Sequence, residues 1–192
     1  MRIILASASP RRRELTEMLG LEIKIIPAVG EECAPAGADP ADVVRALARA
    51  KCEEVAPNCA PGEVCVAADT IVCLDGRILG KPHSEDEARE MLTALRGRTH
   101  EVYTGVAVYR DGVLNTAAER TVVRFRDISD EEIAAYIATG EPMDKAGAYG
   151  AQGKGAVFVE GIEGDFFNVM GLPLCLLDSM LKAIGAGTIL GI

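Results

Sequence analysis

The chain has 192 residues, 49% of them apolar, which is enough to bury a substantial core in one large domain or two lobes sharing a sheet and excludes a disordered chain. A formal net charge of -9 repels a phosphate backbone over most of the surface, and aromatics at 4% with no Trp leave few stacking platforms, so a dedicated nucleic-acid binder is excluded. Small anions are still admissible where positive charge is locally dense, and Arg11, Arg12 and Arg13 form the densest run.

Residues 2–6 read as a short buried strand, an apolar run rich in branched side chains and closed by turn formers. A helix follows, with Ser9 as N-cap, Pro10 as first residue and Gly20 at the stop. Leu15, Met18 and Leu19 fall on one face of it and should lie on the sheet. Residues 22–27 predict a second strand, and 30–40 a loop carrying Glu31 and Glu32. Asp39 and Pro40 open a second helix that runs to about residue 54 and buries Val43, Val44, Leu47 and Ala48.

Residues 63–74 are strongly apolar but for Asp69-Thr70, and Asp75-Gly76 predicts a tight hairpin into 77–79. Ser84 with Glu87, and Ser129 with Glu132, match the capping-box spacing at the starts of two further helices, the second ending near Gly140. Between them, Asp111-Gly112 joins two long strands at 101–109 and 113–125. A glycine-rich segment, a strand near 156–160 and a helix over 173–184 complete the chain. Hairpin-paired strands alternating with strands that lead into helices predict an α/β fold on a mixed sheet, with any second lobe rigidly joined to the first.

The six cysteines contain no C-x-x-C pair, and His83 and His100 are the only histidines, so a zinc site is not expected. The apolar start of MRIILASASP is too short for a signal peptide, which predicts reduced thiols in a cytosol. No stretch is long and charge-free enough to span a bilayer, because Asp178 and Lys182 interrupt the apolar C-terminal segment, and no membrane partner is expected.

Several groups could carry chemistry. Ser7, Ser9, Arg11 and Arg12 sit at a strand-to-helix junction, where backbone N–H groups, the helix dipole, hydroxyls and guanidinium forks suit a phosphate; a capped, solvated first turn is the other reading. Asp69 interrupts an apolar strand, so it is either hydrogen-bonded structurally at a strand end or turned to a cleft. Gly80-Lys81-Pro82 is not a P-loop, since Pro82 replaces the hydroxyl that would hold magnesium, but a lysine fixed there suits a phosphate as well as a turn. Glu31 and Glu32 could hold a divalent cation or be solvated, and Lys51 near the end of its helix could complement the dipole. Glycines at 147, 150, 153 and 155 suggest close backbone approach or flexibility, and Gln152 offers an amide that can both donate and accept at a base edge.

Taken together, ASASPRRREL, AADTIV, GKP before a capped helix, and GEPMDKAGAYGAQGKG resemble the Maf family of nucleoside triphosphate pyrophosphatases across nearly the whole chain. The resemblance implies a bent mixed sheet with flanking helices and two lobes around a cleft, similar to inosine triphosphate pyrophosphatase. It implies hydrolysis of dTTP and UTP to the monophosphate and pyrophosphate, a divalent cation (Mg2+ or Mn2+), and a homodimer. By motif, Asp69 would be catalytic, with Glu32 and Asp69 at the metal. Arg11, Thr70 and Gln152 would set base preference, and Glu32, Lys51 and Lys81 would stand at the phosphates or metal. Ala151 departs from the larger aliphatic residue the pattern leads one to expect. A house-cleaning pyrophosphatase for modified nucleotides, or a non-catalytic nucleotide-binding regulator of cell division, are the alternatives.

Overall fold

A computed structural model describes residues 2–31, 33–35 and 37–191. In chain order it contains β1 (Arg2–Leu5), α1 (Pro10–Met18), β2 (Glu22–Ile25), α2 (Pro40–Val55), β3 (Val64–Leu74), β4 (Arg77–Leu79), α3 (Glu85–Leu95), β5 (Thr99–Arg110), β6 (Val113–Phe125), α4 (Asp130–Ile137), β7 (Val159–Glu163), α5 (Phe166–Met170) and α6 (Leu174–Ala183). Hydrogen bonding links the strands in the order β2-β1-β3-β5-β6-β7, with β4 added to β3. β1 is parallel to both β2 and β3, whereas β3/β4 and β6/β7 are antiparallel, so the sheet is mixed as the alternation of hairpins and helices predicts.

The chain divides into two compact units: Met1–Asp69 with Thr104–Glu119 and Gly171–Ile192, and Thr70–Tyr103 with Arg120–Met170. In the first unit, Asp39 caps α2 by accepting from the Ala41 N–H, Pro40 takes the first helical position, and Val43, Val44, Leu47 and Ala48 are buried. Ile4, Ala6, Ala48, Cys52, Val55, Cys65, Ala67 and Ala107 pack together as its core. Gly105 of β5 is needed there, since a Cβ would stand 2.1 Å from the Val44 carbonyl oxygen. In the second unit, α3 and α4 bury Leu92, Leu95, Ile133 and Ile137 with Val102, Val123 and Phe125.

Both hairpins form with positive φ at both turn residues, 51° and 78° at Asp75-Gly76 and 47° and 89° at Asp111-Gly112, the geometry that matches strand twist. The Ser129/Glu132 capping box is reciprocal. The Ser84 one is half formed: Ser84 Oγ accepts from the Glu87 N–H, but Glu87 accepts from the His83 N–H instead of closing the box. Two other expectations are corrected. The buried face of α1 is Arg12, Leu15 and Thr16, while Met18 is 60% exposed: Arg12 finds Ser7 and the Gly171 carbonyl on the inward face, and the Thr16 hydroxyl is satisfied by the Arg12 and Arg13 carbonyls of its own helix. Residues 154–158 form a 3-10 turn, which moves the last strand to Val159–Glu163.

Candidate active site

In the first unit, β1 leads through α1 to β2 on one side of itself, and the chain then passes through α2 to β3 on the other side. The strand order therefore reverses between β1 and β3, and in such sheets the ends of the parallel strands at the reversal are where ligands bind. The register places the relevant residues there. Leu5 is level with Val66, and the Ala6 N–H donates to the Val66 carbonyl at 2.8 Å. β1 then gives way to the Ser7–Pro10 turn while β3 runs on to Asp69.

Ser7 is buried, and its Oγ accepts from the Ser9 N–H and from Arg12 Nη1, each at 3.2 Å. Arg12 Nε donates to the Gly171 carbonyl at 2.7 Å, a partner 159 positions away. The guanidinium is thus fixed against the start of its own helix. Ser9 occupies the N-cap position with extended backbone but spends no side-chain bond on the helix, a correction to the expected cap. Its hydroxyl belongs to the turn, beside a helix N-terminus whose dipole favours an anion. Arg11 is half-buried, whereas Arg13 pairs with Glu17 on the surface at 2.7 Å, so within the arginine run the solvated reading holds for Arg13.

Asp69 is only 7% exposed and closes the first unit's stretch of β3. Lys51 Nζ, one turn from the end of α2, donates to Asp69 Oδ1 at 2.5 Å. A carboxylate buried in an apolar strand requires such a partner, and a charge-assisted bond supplies it. Lys51 is therefore directed to an acid, which dipole complementarity at a helix end alone would not require.

In the second unit, Thr70 follows Asp69 on β3 and is half-buried, Lys81 is exposed after β4, and Gln152 is exposed in the glycine-rich segment. The loops carrying the last two are tied together, because the Gly147 N–H donates to the Gly80 carbonyl at 3.0 Å. The glycines of this segment pack against the unit itself. A Cβ on Gly147 would stand 2.9 Å from Val72, and one on Gly155 would stand 2.6 Å from the Gly150 carbonyl oxygen. Glu31 is exposed, and Glu32 lies outside the described residues. Among the described residues, no three His, Cys, Asp or Glu side chains come together as a metal-binding group. The Gly171 carbonyl was not legible beforehand: backbone atoms carry no sequence signal, and nothing local marks position 171.

The family model for Maf-like proteins matches residues 2–184. The chain belongs to the Maf family. Among Maf relatives, a dTTP/UTP pyrophosphatase of Bacillus cereus is 51% identical over 181 residues, 94% of each chain. A dTTP/UTP pyrophosphatase of Bacillus thuringiensis subsp. konkukian is 50% identical over the same length and shares. A solved nucleoside-triphosphatase (dITP/XTP pyrophosphatase) of Mycobacterium abscessus aligns over 96% of this chain and 98% of its own, at 17% identity and a TM-score of 0.43. No helix among the described residues is long and apolar enough to cross a membrane.

Proposed function

We propose that the chain is a nucleoside triphosphate pyrophosphatase that takes dTTP and UTP to the monophosphate and pyrophosphate. The names of relatives 51% and 50% identical over 94% of the chain support the reaction and substrate class. The observation that carries the reading onto this chain's residues is the pairing of Lys51 of α2 with Asp69 of β3, the strand next to β1 and the Ser7 turn that follows it, at the reversal of strand order.

In this reading the start of α1, with Ser7, Ser9 and Arg12, meets the negative charge of the triphosphate. Lys51 holds Oδ1 of Asp69, and Oδ2 is the oxygen we assign to the reaction. Water attacks the α phosphorus and gives its proton to Asp69; the bond from that phosphorus to the bridging oxygen breaks, and pyrophosphate leaves with the electron pair. Arg11, Thr70 and Gln152 are assigned to base preference and Lys81 to the phosphates.

A divalent cation fits the donor chemistry. Hard ions such as Mg2+ take oxygen ligands and are commonly held by one or two carboxylates together with substrate phosphates, with no dedicated protein cage. Asp69 would hold it, and the family resemblance names Glu32 as a second carboxylate ligand. When bound, the cation neutralises phosphate charge and lowers the pKa of the attacking water. We also propose a cytoplasmic homodimer on the family resemblance, with sedimentation as the direct measure of its assembly state.

A panel of triphosphates at matched concentration, with pyrophosphate release as the readout, tests the proposal; dTTP and UTP should lead. A lead by modified nucleotides would make the chain a house-cleaning enzyme, and binding without pyrophosphate release would make it a regulator. Asp69→Asn should lower turnover at least about a hundredfold while nucleotide binding persists. Near-normal turnover would remove Asp69 from the mechanism.

A further inference from the structure

The second unit spends an unusual set of side chains on one short loop. Tyr136 of α4 is 4% exposed and packs edge-on against Phe158, with ring centroids 5.0 Å apart. Its hydroxyl accepts from the Gly150 N–H at 3.2 Å and donates to Glu141 Oε1 at 3.0 Å. The Glu141 carboxylate also accepts from the Lys154 N–H at 3.0 Å and the Gly155 N–H at 3.1 Å. One phenol and one carboxylate thus bind three backbone amides, one ahead of Gln152 and two behind it.

The two ends of the loop are also in direct contact. A Cβ on Gly155 would lie 2.6 Å from the Gly150 carbonyl oxygen and 2.6 Å from the Tyr136 hydroxyl, so only glycine lets the ends meet. The Lys145 side chain closes the other side: a Cβ on Gly150 would meet it at 2.8 Å, and its Nζ donates to the Glu141 carbonyl at 2.6 Å. Gln152 is left exposed at the tip of this pinched loop.

We propose that Tyr136 and Glu141 are positioning residues for base selection, clamping both ends of the 150–155 loop so that Gln152 is held ready. The inference rests on the reading of Gln152 as a base contact. An exposed amide on a mobile loop would lose conformational freedom on binding and would accept several bases in shifted poses. A clamped one meets a wrong base with mismatched donors and acceptors. The clamp spends its polar atoms on the loop's own amides and on itself, so its effect is on discrimination between bases and on KM, while kcat for the preferred substrate is largely kept.

The test is the ratio of kcat/KM for UTP to that for GTP in Tyr136→Phe, Glu141→Gln and Gln152→Ala, each checked for folding by thermal unfolding. Tyr136→Phe and Glu141→Gln should each lower the ratio by about tenfold, mainly through KM, in the same direction as Gln152→Ala. If Gln152→Ala shifts the ratio and the two folded clamp variants do not, the clamp is overturned and the reading of Gln152 stands. If Gln152→Ala leaves the ratio unchanged, the base-contact reading fails and takes this inference with it. Amide exchange on the unaltered protein gives a check independent of folding: the Gly150, Lys154 and Gly155 amides should be protected, and exchange at solvent-exposed rates would overturn the clamp.

Discussion

Asp69 illustrates how a single residue's position constrains its chemistry. In a run where nearly every neighbour of β3 is buried, an ionised carboxylate is stable only with a compensating partner, and Lys51 is that partner at 2.5 Å. Removing one member leaves the other charge in a largely desolvated place. Lys51→Met should therefore cost about 3 kcal/mol of stability, and adding Asp69→Leu should recover most of that loss while the protein stays inactive. Denaturant unfolding of the two single variants and the double variant reads this coupling; strictly additive losses would show that the pair does not stabilise the fold. The same logic explains Arg12, whose buried guanidinium is tied to Ser7 and to the Gly171 carbonyl, so its charge is held at the helix start by bonds that a lysine could not reproduce in that planar form.

At the scale of elements, two features keep the first unit's layers in place. The parallel β2-β1-β3 register brings the Ser7 turn to the end of β1, and α2 packs against the sheet closely enough that Gly105 of β5 has no room for a side chain. A methyl group there would be directed at the backbone of Val44 and Arg45, which cannot yield as a side chain can. Gly105→Ala should thus cost about 3 kcal/mol or more, measured by denaturant unfolding. Because α2 also carries Lys51, the loss of packing should disturb the Asp69 pair and depress turnover as well. A variant with unchanged stability would show that α2 can move off the sheet without cost.

For the whole molecule, stability in acid depends on His100. It is 2% exposed in the core of the second unit, with Nε2 2.7 Å from the Tyr149 hydroxyl and its ring edge-on to Phe125, and burial pulls its pKa from 6.5 down to about 4. Above pH 6.5 the imidazole is neutral in both the folded and unfolded chain and contributes no pH dependence. Between pH 6.5 and about 4 the unfolded chain binds a proton that the folded one refuses, so stability falls as pH falls, and below that window the effect levels off. The loss should reach about 3 kcal/mol across the window, and His100→Gln should flatten that part of the stability curve even if its stability at neutral pH is lower. Equal slopes in the two proteins would exclude His100 as the source. What the sequence by itself determined is local. Asp39-Pro40 starts α2, the 43, 44, 47, 48 stripe buries it, and the two Asp-Gly turns fix both hairpins, because caps, helical periodicity and turn conformations act within a few residues. The motif residues could also be named from the sequence, Asp69 and Gln152 among them. Tertiary structure alone decided their partners: Lys51 for Asp69, Gly171 for Arg12, and Tyr136 with Glu141 for the loop around Gln152. Those contacts join residues up to 159 positions apart, and they depend on which strand neighbours which and in what register, a choice settled by packing the whole chain.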